Sequence, residues 1–162
     1  MIQRVGRRGE QIGGEFLYQH PIEVRFVDTD ALGHVNNAVY LSYFEAARAG
    51  YYATVAGVPF GTGARAAEHT FVIAEARINY RAPGFFGESL IVGCRFAWAG
   101  RSSFGFEYRV RAEKSVVAQA RVVADGETTQ VMFDLERNRV TRVPPDLLAQ
   151  FEAYEGRPIA RR

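Results

Sequence analysis

A chain of 162 residues, 48% of them hydrophobic, fits one globular domain with enough length for a substantial core. Its 20 basic residues against 18 acidic ones leave a net charge of +2, which is no nucleic-acid footprint, and no membrane span is expected. A single cysteine, Cys94, excludes an intrachain disulfide and suits a reducing compartment; with no apolar stretch of a secretory signal in the basic opening Met1 to Gly14, a cytoplasmic location is expected.

Residues 1–17 open with Gly6, Gly9, Gly13 and Gly14 among Arg4, Arg7 and Arg8, have little to bury, and are expected to form a flexible tail. A strand is expected over Tyr18 to Val27, where Ile22, Val24 and Phe26 alternate with Glu23 and Arg25. Asp28, Thr29, Asp30, Gly33, Asn36 and Asn37 then crowd a short stretch and predict a turn, with Asn36 or Asn37 placed to cap the next helix. That helix runs from Ala38 to about Val55. Its polar positions before Thr54 are Ser42, Glu45 and Arg48, so burial on most sides, inside a curled sheet, is expected. Glu45 and Arg48 interrupt it well short of the roughly 20 apolar residues a bilayer needs.

Gly57 is placed to stop the helix, and Val58 to His69 reads as a loop. Within it, Gly61 to Ala66 nominally fits a dinucleotide fingerprint, but it follows a helix and precedes a strand, the reverse of the required context. A flap over a ligand or a plain connector remain as readings. Thr70 to Tyr80 alternates as a strand, Pro83 and Gly84 turn the chain, and Leu90, Val92, Cys94, Phe96 and Trp98 line one face of the next strand. Gly100 turns again before Phe104, Phe106, Tyr108 and Val110, so three successive strands are expected to form an antiparallel meander. Val116 to Leu135 is strand-like, but its apolar phase moves from even to odd positions, which predicts a bulge at Gly126. Pro144, Pro145 and Asp146 introduce a short amphipathic helix carrying Leu147, Leu148, Phe151 and Tyr154, and residues 157–162 form a tail. The class is α+β, with one domain over residues 18–156.

The pattern D-x-D-x-x-G-H-V-N-N-x-x-Y-x-x-Y-F-E-x-A-R, from Asp28 to Arg48, resembles the hot-dog acyl-CoA thioesterases of the 4-hydroxybenzoyl-CoA thioesterase type. I-N-Y-R-A-P-G-F-F-G-E-S-L, from Ile78 to Leu90, is similar to the second marked segment of that family, and the match covers roughly His20 to Pro145. The resemblance implies an antiparallel sheet wrapped around one long helix, and protomers paired edge to edge as a homodimer or as a tetramer built from two dimers. It also implies hydrolysis of an acyl-CoA to free acid and CoA, with no cofactor and no metal.

The residues are compatible with that chemistry. No G-x-S-x-G elbow, P-loop or H-E-x-x-H is present, and His20, His34 and His69 lack metal-ligand spacing. What remains is a carboxylate beside a helix start, whose free N–H groups can hold the oxyanion formed when a thioester carbonyl is attacked. Backbone N–H near Asn37 is the expected donor and Asp30 the expected base or nucleophile. In the resembling enzymes the acting carboxylate matches the second aspartate of D-x-D, hence Asp30; Asp28 reads as a residue that fixes the turn. His34 would orient substrate or polarise the carbonyl, with a hydrogen bond within the turn as the alternative. Glu45 lies eight residues past Asn37, about 12 Å along the helix, so only a neighbouring subunit's copy could act; otherwise it pairs with Arg48 at i,i+3. Gly33, Tyr40, Tyr43 and Phe44 are candidate substrate-binding residues, the three aromatics having core packing as the alternative. Arginine, which supplies all the basic side chains except Lys114, could meet the phosphates of CoA. A non-catalytic acyl-CoA binding module and a hydroxyacyl-thioester dehydratase using His34 are the competing functions.

Overall fold

A computed structural model of the chain describes residues 14–57 and 70–162; the Gly61 to Ala66 stretch and most of the N-terminal tail lie outside them. The elements are β1 (Tyr18–Glu23), a 3-10 turn (Phe26–Asp28), α1 (Val39–Ala56), β2 (Phe71–Tyr80), β3 (Ser89–Ala99), β4 (Ser103–Ala112), β5 (Arg121–Asp134), β6 (Arg139–Val140), α2 (Pro145–Glu155) and β7 (Ala160–Arg161). The strands are ordered β1-β3-β4-β5-β2, with β6 on β5 and β7 on β3. Of the meander expected for β2, β3 and β4, only the β3–β4 neighbourhood holds: β2 sits beyond β5, and β1 takes the place beside β3. The Arg81 and Ala82 N–H groups both bond to the Val123 carbonyl, at 2.8 and 3.2 Å, and tie the end of β2 to β5. Both donors lie past Tyr80, the last residue of β2, so this pair of hydrogen bonds closes the strand end and is not the bulge expected at Gly126.

Two compact units can be distinguished, one drawn from Met1–Ala47, Ile78–Cys94 and Tyr108–Gly126, the other from Arg48–Arg77, Arg95–Glu107 and Glu127–Arg162. In the first, β1 pairs antiparallel with β3, Tyr18 opposite Cys94 and Glu23 opposite Ser89. Phe44, Leu90, Val92, Cys94, Tyr108 and Val110 are fully buried, and Phe44 stacks on Tyr108 with ring centroids 4.4 Å apart. Each such side chain contributes about 1.5–3 kcal/mol through burial. Phe16 also packs down, so closely over Gly93 that a Cβ there would lie 2.6 Å from its ring. In the second unit Tyr51, Phe96, Phe104, Phe106, Leu147 and Phe151 form a fully buried cluster. Pro at the first turn and a left-handed Gly156 (φ 65) bound α2, as the proline and glycine signals require. Its last residue, Glu155, accepts the Phe96 N–H at 3.2 Å and the Tyr51 hydroxyl.

Several sequence expectations need correction. The first strand ends at Glu23, not Val27: the Asp28 carboxylate takes the Arg25 N–H at 3.0 Å and Thr29 N–H bonds to the Phe26 carbonyl, which winds the segment into a turn and leaves Phe26 78% exposed. Residues Val116 to Gln119 are not strand; Val116 is fully exposed beside a turn closed by Ser115 N–H to the Ala118 carbonyl. Burial in β5 does not step to odd positions: Val123, Ala124, Asp125 and Gly126 are buried in succession, then Thr128, Gln130 and Met132, while Leu135 is exposed. Polar Thr128 and Gln130 occupy interior positions because their side chains bond to each other. Trp98 leaves the apolar face of β3 and lies against Gly105, where any Cβ would collide with the indole. Residues 157–162 are no free tail, since β7 pairs parallel with β3 and Ile159 is buried. In α1, Arg48 is buried and Leu41 exposed, the reverse of their polarity.

Candidate functional site

The site lies within the first unit. The two aspartates of the D-x-D turn have different surroundings. Asp28 is 2% exposed; Arg25 donates to it through Nε at 3.2 Å and Nη2 at 2.8 Å, and the Tyr43 hydroxyl donates at 3.0 Å. The Arg25 hydrogen bonds hold its carboxyl below the usual range despite burial, whereas burial and Asp28 push the Tyr43 phenol up. The main-chain carbonyl of Asp28 accepts the Asn36 N–H at 2.9 Å.

Asp30 is half-buried. Its main chain is fixed by N–H to the His34 carbonyl (3.1 Å) and by the Gly33 N–H on its own carbonyl (2.9 Å). Gly33 has φ 78, a left-handed conformation natural to glycine. One carboxylate oxygen accepts the Leu32 N–H at 2.9 Å; the other meets the Asn36 Nδ2 at 3.4 Å. The Asn36 Oδ1 in turn accepts the Ala38 N–H at 2.9 Å, so Asn36, not Asn37, caps the helix start. The Asn37 N–H has no acceptor among the described residues.

Beside this start opens a cavity of about 320 Å³ lined by His34, Val35, Asn37, Tyr40, Tyr80, Arg81, Ala82 and Pro83. Three sequence-predicted residues, His34, Asn37 and Tyr40, thus share its wall. Asp30 is not on that wall; its carboxylate meets Asn36, one residue before Asn37. His34 is half-buried, with Nδ1 3.2 Å from the Val35 carbonyl. Tyr40 is buried, its ring edge-on to Tyr80 at 5.5 Å, and burial raises its phenol to about 12. The remaining candidates do not join them. Gly33 is exposed, Tyr43 is engaged with Asp28, and Phe44 is stacked in the core, so the last two follow the packing alternative. Glu45 is exposed while Arg48 is buried.

Sequence reasoning missed Tyr80, Gly84, Glu88 and Arg121. The Gly84 carbonyl accepts the Val35 N–H at 2.8 Å, and a Cβ on Gly84 would sit 3.3 Å from both the Tyr40 hydroxyl and a Val35 methyl. Fully buried Glu88 receives Arg121 at 2.9 and 2.8 Å, the Phe85 N–H at 2.9 Å and the Ser115 hydroxyl at 3.0 Å. Burial alone would raise its carboxyl, but these donors outweigh it and hold it low. Arg121 also donates to the Pro83 carbonyl through Nε at 3.2 Å, so the turn that braces Val35 and Tyr40 is held by a buried ion pair. A buried acid just before an apolar strand was the available signal for Glu88. No group of three or more His, Cys, Asp or Glu able to hold a metal occurs among the described residues, and none of their helices is long and apolar enough to cross a membrane.

Residues 24–151 match the thioesterase-like superfamily. The acyl-CoA thioester hydrolase YbgC of Escherichia coli O6:H1 is 27% identical over 138 residues, 84% of this chain and 96% of that protein. A thioesterase of Thermus thermophilus, solved with coenzyme A and Zn, is 35% identical with a TM-score of 0.74, over 89% of this chain and 98% of that one. A 1,4-dihydroxy-2-naphthoyl-CoA thioesterase of Synechocystis shares the fold at a TM-score of 0.69 and 19% identity, over 83% of this chain and 94% of that one.

Proposed function

Because the chain belongs to the thioesterase-like superfamily and has the hot-dog fold, we propose that it hydrolyses an acyl-CoA thioester, with Asp30 as base or nucleophile and the Asn37 N–H as oxyanion donor. The observation that carries this reading is the link from the Asp30 carboxylate through the Asn36 amide to the helix start, beside an Asn37 N–H left for a ligand. The CoA thioester is suggested by the YbgC and Thermus proteins. With Asp30 as base, it takes a proton from water as the water oxygen bonds to the acyl carbon, and the carbonyl electrons move to an oxygen held by the Asn37 N–H. Collapse breaks the C–S bond, and the thiolate leaves with CoA and takes up the proton. As nucleophile, Asp30 would instead form an anhydride that water then opens. Asp30 suits either role better than Asp28, whose lone pairs are occupied by Arg25 and Tyr43.

A panel of acyl-CoAs with free thiol as readout tests this: Asp30→Asn lowers turnover by about 10²–10⁴, and native-level hydrolysis in that variant rejects the reading. Binding of acyl-CoA without turnover by the native protein would favour a binding module instead.

The assembly proposed is a pair of chains joined through β2. That strand ends the sheet order, and Val72 and Ile73 on its two faces are 42% and 45% exposed. A long apolar edge is a template for a second strand. A sedimentation mass of one chain would reject the pairing.

A further inference from the structure

We propose that Tyr80 is a positioning residue for the Asn37 main-chain amide; the inference rests on the thioesterase reading above and deepens it. Tyr80 ends β2, 43 positions from Asn37, and its hydroxyl donates to the Asn37 carbonyl at 2.9 Å. That carbonyl is left for a side chain because the first turn of α1 is tightly wound. Val39 N–H bonds back to the Asn36 carbonyl (3.0 Å) and Leu41 N–H to the Ala38 carbonyl (3.3 Å), each three residues back.

The two peptides flanking the Asn37 Cα are thus pinned separately. The Asn36–Asn37 peptide is held by Val39 on its carbonyl, and the Asn37–Ala38 peptide by Tyr80 on its carbonyl and Asn36 Oδ1 on its N–H. Asn37 itself is exposed, so nothing packed against its side chain fixes its dihedral angles. Tyr80 is braced in turn: its ring is edge-on to buried Tyr40, and both line the cavity. A phenol has one proton, and this one is spent on Asn37. Tyr80 is therefore not a donor to the reacting carbonyl, and its effect passes through the amide. Burial raises its ionisation above the ordinary value, so it remains a donor through the neutral range.

The test is Tyr80→Phe, which keeps the ring and removes the hydroxyl, assayed with benzoyl-CoA and hexanoyl-CoA beside Asp30→Asn. A donor displaced by a fraction of an ångström predicts a roughly tenfold fall in kcat with KM within about twofold, because the donor matters most as charge develops. The nuclear magnetic resonance shifts of the Asn37 amide nitrogen and proton should move in Tyr80→Phe whatever the substrate. Unchanged shifts overturn the proposal, as does an unchanged kcat where Asp30→Asn is inactive. A lower thermal midpoint with native kcat makes Tyr80 merely structural and overturns it too. If Asp30→Asn keeps native turnover, the thioesterase mechanism fails, and a moved Asn37 amide shift in Tyr80→Phe still supports the positioning.

Discussion

Replacing Arg121 by Met tests whether the buried ion pair holds the turn beneath the site. Glu88 is 0% exposed and the Arg121 side chain 19%. Losing the guanidinium removes the hydrogen bonds at 2.9 and 2.8 Å and leaves the carboxylate with the Phe85 N–H and the Ser115 hydroxyl. Breaking a buried pair from one side costs about 3–5 kcal/mol, which for a chain of this length lowers the thermal midpoint by about 6–20 °C. Glu88→Gln combined with Arg121→Met should recover part of the loss, since no uncompensated charge remains. The pH dependence has a defined sign. In the native protein the Glu88 carboxyl is held low, so its contribution is present above the unfolded-state value and lost as pH falls through the folded one. Without Arg121, burial raises the carboxyl instead, so the variant is penalised most at neutral pH and the gap from native closes on acidification. Urea unfolding of the three proteins at pH 7 and pH 4 measures this. A loss under about 1 kcal/mol at neutral pH, well short of the expected cost, or a gap that widens in acid, refutes the reasoning.

Asn36→Ala removes a helix cap and the amide that meets Asp30; stability should fall by about 1 kcal/mol, and acyl-CoA turnover by more than that loss explains, as read by urea unfolding and thiol release. Ile73→Lys places a charge on an exposed edge residue of β2; the folded chain should tolerate it, and sedimentation should show the proposed pair replaced by single chains.

Elements set by local chemistry were readable in advance. The helix expected over Ala38 to Val55 is Val39–Ala56, because an asparagine cap and a left-handed Gly57 (φ 68) act within a turn of the residues they bound. The even positions of β3 through Phe96 and of β4 are buried because strand parity follows from covalent geometry. Strand order was not readable, since it depends on which edges pair across tens of residues: β2 is carried to β5 by the Arg81 and Ala82 bonds to Val123, and the apolar alternation of β2 contains no trace of that partner. Where polar residues stood in the interior, apolar parity misled. Asp125 is fully buried with Arg81 and Arg109, each at 3.1 Å, so charge pairing, not hydropathy, selects its place.

The motif from Asp28 to Asn37 was legible for the same reason that most of it is unavailable for chemistry. Asp28 is consumed by Arg25 and Tyr43, Gly33 by a left-handed turn, Asn36 by the Ala38 N–H and Asp30. Short-range bonds of this kind leave a recognisable spacing in sequence. A group that acts on a ligand must keep unspent hydrogen-bonding capacity, which is why the proposal rests on the Asp30 carboxylate and on the Asn37 N–H at the cavity wall. The contacts that meet this segment from elsewhere in the chain are Tyr80 of β2 on the Asn37 carbonyl and Gly84, in the turn held by Glu88 and Arg121, on the Val35 N–H. Nothing in the spacing of Asp28 to Asn37 encodes them, because their distance from Asn37 is set by strand pairing. Substitutions within the motif should therefore disturb the turn and the chemistry together, whereas Tyr80→Phe separates the aim of the amide from the integrity of the turn.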